Sequence, residues 1–262
     1  MEWLLSPDGL SLWQFALLLV AGFGAGLIDA MVGGGGLIQV PALIALFPSA
    51  APAAIMGTSK FAGVFGTASA YLRYAREIEI PKRTLFFGCI AAATGALMGA
   101  WLLTQLSNQA FKMLLPPLLI LVFFYTLMRK DFGHAHAPKF DAKTEPRASA
   151  ATGAVIGVYD GFFGPGTGSF LVFAFVRVFG FDFVHASALA KGINVACNVA
   201  ALTLFIGLGH IIWASAICLA FANLAGGMSG SKLALKHGSA WVRRVFIVVV
   251  AGLIVKTTLS VF

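Results

Sequence analysis

The 262-residue chain is 59 % hydrophobic and 11 % charged, with a formal net charge of +8. A soluble domain carries roughly 25 % charged residues, so a soluble protein is excluded; the +8 belongs to loops, with no room for a basic nucleic-acid-binding domain. Apolar runs such as Trp13–Val32, Leu85–Leu106, Phe111–Met128, Val195–Ile212 and Val245–Phe262 lack the alternation of barrel strands, and the chain reads as an all-α polytopic membrane protein.

The N-terminal stretch Met1–Ser11 carries Glu2 and Asp8 but no lysine or arginine. It lacks the basic start and small-residue cleavage pattern of a signal peptide, so Trp13 onwards is expected to stay in the mature protein. The first apolar stretch, Leu12–Phe47, is interrupted by Asp29-Ala-Met-Val-Gly33-Gly34-Gly35-Gly36. Glycine weakens a helix interior by up to about 1 kcal/mol relative to alanine, so four in a row predict a helix break with free backbone N–H groups. The piece after the break, Leu37–Phe47, would rise only about 17 Å as a helix against a hydrocarbon core about 30 Å thick. Leu12–Phe47 is therefore expected to form a re-entrant hairpin that enters and leaves on one side. Three full spans follow, at about Ala54–Tyr74, Leu85–Leu106 and Phe111–Met128, and then a polar linker, Arg129–Arg147.

The pattern then repeats. At an offset of 131 residues, Gly22, Gly26, Gly33, Gly35, Gly95 and Gly99 meet Gly153, Gly157, Gly164, Gly166, Gly226 and Gly230 without gaps. Asp29 meets Asp160, and Lys60 meets Lys191. This argues for an internal duplication: residues 1–128 form one repeat, 129–147 a cytoplasmic linker, and 148–262 the second repeat of a single membrane domain. The second half would comprise a hairpin at Ala148–Phe179 and spans at about Ala186–Gly207, Ile211–Leu235 and Val242–Phe262. Loop charges set the relative orientation. Arg73–Arg83 holds Arg73, Arg76, Lys82 and Arg83, whereas its counterpart Gly207–Trp213 holds neither lysine nor arginine. The next loop reverses the bias, with Lys112 alone in Thr104–Lys112 but Lys232, Lys236, Arg243 and Arg244 in Lys232–Arg244. Equivalent loops thus lie on opposite faces: the repeats are inverted, the termini outside. Four complete spans per half, the alternative from hydropathy alone, leave these charges unexplained.

In each hairpin the second arm begins at the glycines, so its N-terminus points towards the midplane. Helix N-termini carry about half a positive charge and present free N–H donors, which makes them anion sites. The candidate donors are Gly33, Gly34, Gly35 and Gly36 with Gly164, Gly166 and Gly168, supplemented by the Thr167 and Ser169 hydroxyls and the Gln39 amide. The bland alternative, glycines that let helices pack closely, suits Gly95-x-x-x-Gly99 and Gly226-x-x-x-Gly230 better than four consecutive glycines. Lys60 and Lys191 sit in apolar segments, where a buried lysine costs roughly 2.5–3.5 kcal/mol and marks a functional site by default. Snorkelling to the headgroups, or a structural pair with Asp29 or Asp160, are the competing readings. Asn194 and Asn198 share a helical face with Lys191 and could line the same cavity. Asp29 and Asp160 could cap the short arm, pair with a lysine, or bind a coupling proton.

Several other chemistries are disfavoured. Tyr159-Asp160 superficially resembles one motif of intramembrane aspartyl proteases, but their Gly-x-Gly-Asp motif is missing, since Asp29 follows Leu27 and Ile28. There is no Gly-x-x-x-x-Gly-Lys-Ser/Thr sequence for ATP drive. The cysteines Cys89, Cys197 and Cys218 all fall in apolar segments and read as packing residues. His134 and His136, in the linker, are a weak metal signal. No enzymatic activity, cofactor or metal is expected.

The quoted motifs resemble those of the TauE/SafE, or sulfite exporter, family of membrane permeases. The resemblance runs from about Leu17 to Val261. It is most specific at Gly26–Gly36, Thr58-Ser59-Lys60, Tyr159–Phe170 and Ala190-Lys-Gly-Ile-Asn194. It implies a bacterial inner-membrane transporter for sulfur-containing anions such as sulfite, sulfonates or related organosulfur compounds. Residues and resemblance together predict a secondary transporter with alternating access around a midplane anion site, driven by protons or by the anion's own gradient. A passive anion channel would use the same donors.

Overall fold

The computed structural model describes residues 7–111, 113–114, 117–118, 120 and 136–236. The expected spans Phe111–Met128 and Val242–Phe262, most of the linker and the first residues lie wholly or largely outside these. Among the described residues there is no strand. The α-helices described over their whole length are α1 (Leu12–Val32), α2 (Gly36–Leu46), α3 (Pro52–Glu77), α4 (Lys82–Thr104), α5 (Glu145–Phe162), α6 (Thr167–Arg177) and α7 (Phe183–Gly207), and α8 is described over 213–236. By length and composition α1, α4 and α7 can each cross a membrane, whereas α2 and α6, eleven residues each, cannot. The eleven-residue estimate for the arm after the glycines is met. Its partner is longer than a half-depth arm requires: the 21 residues of α1 rise about 31 Å.

Local chemistry explains the boundaries. The Ser11 N–H donates to Gln14 Oε1 at 2.9 Å where α1 starts, and Pro52 opens α3 at a position that needs no N–H donor. Asp182 caps α7 by accepting the N–H groups of Val184 and His185. The carboxylate of Asp8 accepts from the N–H and hydroxyl of Ser215, at 2.8 and 2.6 Å, tying the approach to α1 to the first turn of α8.

Small residues set the tightest packing, because a glycine face lets backbones touch. α4 lies along α5 in parallel, with Gly88 facing Gly153, Ala92 facing Gly157, and Ala96 facing Gly161. α8 lies along α1 in the same sense. A methyl group on Gly157 would come within 2.3 Å of Ala92 O, and one on Gly26 within 2.1 Å of Asn223 O. These contacts correspond at the 131-residue offset: each half lends a helix to the other's broken helix, and the contacts are reciprocal. α3 and α7, which are themselves counterparts, run antiparallel. Gly57 meets Phe205, Gly63 lies beside Asn198, and Gly192 packs on Tyr71. Outward, Phe86, Phe87, Ile90, Met98 and Trp101 of α4 are exposed among the described residues. This is the apolar face expected of a bilayer-embedded helix.

Candidate functional site: two glycine breaks that meet

The glycine breaks come together. α1 ends at Gly33, in the left-handed region at φ 86°, with its N–H donating to Asp29 O at 2.8 Å. α5 ends at Phe163, and Gly164 and Gly166 then turn the chain at φ 82° and 88° before α6. Side chains are strained in this region, so glycine is required at these turns. The Tyr159 hydroxyl braces the second break by donating to Pro165 O at 2.6 Å. Across the junction, the Ser169 N–H donates to Gly33 O at 3.1 Å and the Ser169 hydroxyl to Val32 O at 2.7 Å.

A cavity of about 50 Å³ lies at this junction. Gly33, Gly35 and Gly36 line it from one break, and Gly164, Gly166 and Gly168 from the other. The N–H groups of Gly34, Gly35, Gly36, Gly166 and Gly168 have no hydrogen-bond partner among the described residues. The N-termini of α2 and α6 therefore both face the cavity with donors unspent, the arrangement that favours an anion.

The ion pairs are exchanged between the halves. Lys60 Nζ lies 2.6 Å from Asp160 Oδ2 and donates to Asn198 Oδ1 at 3.3 Å. Lys191 Nζ lies 3.3 Å from Asp29 Oδ2 and also donates to Asp29 O, while the Thr67 hydroxyl donates to Asp29 Oδ2 at 3.0 Å. Both lysines are buried, at 3 % and 1 % exposure, which rules out snorkelling in this conformation. Of the three roles open to Asp29 and Asp160, pairing is the one occupied. The two pairs cancel in charge, so the unopposed positive potential at the cavity comes from the helix N-termini.

The candidates do not share one fate. Lys60, Asn194, Asn198, Gln39, Asp29 and Asp160 line the cavity; Gly34, Lys191, Thr167 and Ser169 do not. The Thr167 hydroxyl donates to Gly164 O at 2.7 Å, which, like that of Ser169, ties backbone to backbone. Ser59, Thr67 and Asn223 line the cavity without having been singled out as site residues. A signal existed for two of them. Thr67 lies seven residues after Lys60 on the same helical face, and Asn223 shares the small-residue face of Gly226 and Gly230.

The lining is asymmetric, and so is the backbone at the breaks, where Gly166 is left-handed at φ 88° and its counterpart Gly35 right-handed at φ -56°. Asn223 Nδ2 donates to Gln39 Oε1 at 2.7 Å, and Gln39 Nε2 donates to Ser59 O at 2.9 Å and to Ser59 Oγ at 3.2 Å. The counterparts of Gln39, Ser59 and Asn223 at the 131-residue offset are Phe170, Ala190 and Ala92. The Gln39–Ser59–Asn223 network thus has no counterpart across the junction.

The pattern of the family described as Sulfite exporter TauE/SafE matches residues 18–257. The chain belongs to the TauE/SafE family. Curated relatives are named probable membrane transporter proteins. One, ORF9 of Sinorhizobium sp, is 35 % identical over 243 residues, covering 92 % of this chain and 91 % of the relative. One from Haemophilus influenzae is 33 % identical, covering 89 % and 90 %, and YfcA of Escherichia coli K12 is 34 % identical, covering 87 % and 83 %. No solved structure matches. For this TauE/SafE member, family and relatives together indicate a membrane transporter.

Proposed function

We propose that the chain is a multi-pass secondary transporter of the bacterial inner membrane that moves small sulfur-containing anions by alternating access. Sulfite, sulfonates and related organosulfur anions are its substrate class. The observation that carries this reading is the cavity where two helix N-termini with unspent N–H donors meet beside Lys60. The inverted-repeat arrangement, residues 1–128 against 148–262 around a cytoplasmic linker, is supported by the antiparallel run of α3 against α7 and by the opposed loop charges. Two related helices that cross a bilayer in opposite senses place their two-fold axis in the membrane plane. Each broken helix then enters from its own side, and the site is reached alternately from the two faces.

The exchanged ion pairs offer a route to coupling. A proton on Asp160 would remove the charge that holds Lys60, freeing the ammonium for the anion; anion and proton would then travel together. Flux into liposomes tests the transport class. Saturating counterflow of labelled sulfite, enhanced by an inward proton gradient, is the expected result, whereas ohmic single-channel currents would establish a passive channel instead.

Cavity size sharpens the substrate expectation. A cavity of about 50 Å³ suits a compact oxyanion better than one carrying an alkyl chain. Each added methylene that a site of fixed size must reject costs about tenfold or more in discrimination. In a competition series, taurine and sulfoacetate should therefore inhibit sulfite uptake at least about tenfold more weakly than thiosulfate or sulfite itself. Equal inhibition across the series would show that the site opens well beyond this volume.

A further inference from the structure

Away from the cavity, at the start of α7, three donor groups converge that the transport reading does not use. The Asp182 Oδ1 atom caps the helix, accepting the N–H groups of Val184 and His185 at 2.9 and 3.0 Å, and this fixes the direction of its other oxygen. His185 Nδ1 lies 2.6 Å from that Oδ2, and His136 Nδ1 lies 3.1 Å from it. His136 arrives from a different part of the chain. Its segment is held by backbone bonds from Ala137 N–H to Gly180 O, at 2.8 Å, and from Lys139 N–H to Phe179 O, at 2.9 Å. Its ring is stacked on Phe181, with centroids 5.4 Å apart and planes 7° from parallel.

We propose that His136, Asp182 and His185 form a binding site for a borderline divalent transition metal of the zinc type, which clamps the end of the linker to the start of α7. One ligand atom from each of the three lies within 4.8 Å of the others. Donors held about 2.1 Å from one ion at tetrahedral or octahedral angles lie about 3.0–3.4 Å apart, which brackets or lies close to the two histidine–carboxylate spacings of 3.1 and 2.6 Å. Two imidazoles and one carboxylate suit zinc, nickel or cobalt and discriminate against magnesium, which demands oxygen ligands. His136 Nδ1 accepts from the Asp182 N–H at 3.5 Å, a long bond that the ring gives up when Nδ1 turns its lone pair to the ion. The carboxylate has the supporting hydrogen bonds that metal-bound carboxylates have, here from the helix cap. The site remains partly open, with His136 side-chain exposure at 39 %, which leaves a position for water and a path for the ion.

The test uses tag-free full-length protein in detergent, stripped with chelator and then titrated with Zn²⁺. Expected are one bound zinc per chain at micromolar concentration, a midpoint of thermal unfolding raised by several degrees, and no response to Mg²⁺. His136→Ala and His185→Ala should each weaken zinc binding at least about tenfold while leaving the metal-free midpoint unchanged. Asp182→Asn, which retains a capping oxygen, should weaken binding without unfolding α7. The proposal is overturned if wild-type protein binds no stoichiometric zinc at these concentrations. It is equally overturned if both histidine variants bind as wild type does, since the ion would then sit elsewhere.

Discussion

Lys191→Met is expected to destabilise the protein by about 3–5 kcal/mol, because it leaves the Asp29 carboxylate without its cation in a nearly dry interior. For a chain of this size that is a fall of roughly 6–20 °C in the unfolding midpoint. Lys191→Met combined with Asp29→Asn should recover most of the loss. Replacing both members of a buried pair removes the uncompensated charge, and the Thr67 hydroxyl can still donate to an asparagine oxygen. Denaturation of the detergent-solubilised variants gives the answer directly. A double variant as unstable as the single one would mean that Lys191 acts through something other than Asp29.

The same cycle at the other pair separates recognition from scaffolding. Lys60→Met with Asp160→Asn should also recover stability, since both members of that pair are buried as well. It should not recover anion binding, because Lys60 lines the cavity and Lys191 does not. The Lys191–Asp29 double variant, which takes away a lining carboxylate but no lining cation, should lose far less binding. Both pairs join the halves, but they differ at the cavity: Lys60 and Asp160 both line it, whereas of the other pair only Asp29 does. The replacement of Gln39, Ser59 and Asn223 by Phe170, Ala190 and Ala92 at equivalent positions points the same way.

Much of this was legible in the chain. The helix breaks followed from glycine's helix propensity, the short second arms from counting residues, and the relation between the halves from matched Gly, Asp and Lys positions. What could not be read was which lysine meets which aspartate. Pairing within each half and exchange between halves place the same residue types at the same spacings, and only the antiparallel crossing of α3 and α7 selects exchange. The hydroxyls of Thr167 and Ser169 look like ligand donors in a sequence because backbone carbonyls, their actual acceptors, leave no mark there. The extent of α1 was legible too: the apolar run Trp13–Val32 falls one residue short of the helix Leu12–Val32.

Gly33→Ala should be among the most damaging single-atom-scale changes available to this protein. Two independent costs coincide at that position. Alanine at φ 86° is strained by about 1–2 kcal/mol. Its Cβ would also lie 2.2 Å from Gly168 C and 2.4 Å from Ser169 N, both backbone atoms that cannot rotate aside. Relief requires the two breaks to separate, which gives up the Ser169 hydrogen bonds to Gly33 O and Val32 O and pulls the cavity apart. The combined loss is on the order of 3 kcal/mol or more. Gly168→Ala, whose Cβ would meet Gly33 Cα at 2.4 Å, should behave alike from the opposite side. Gly24→Ala is the control, since nothing lies within 4 Å of a methyl group there and alanine favours a helix by up to about 1 kcal/mol. Unfolding midpoints and sulfite uptake measured on the three variants should therefore fall for the first two and hold or rise for the third. Wild-type uptake by Gly33→Ala would mean that the breaks need not touch for transport, and that the donors act from two separate sites.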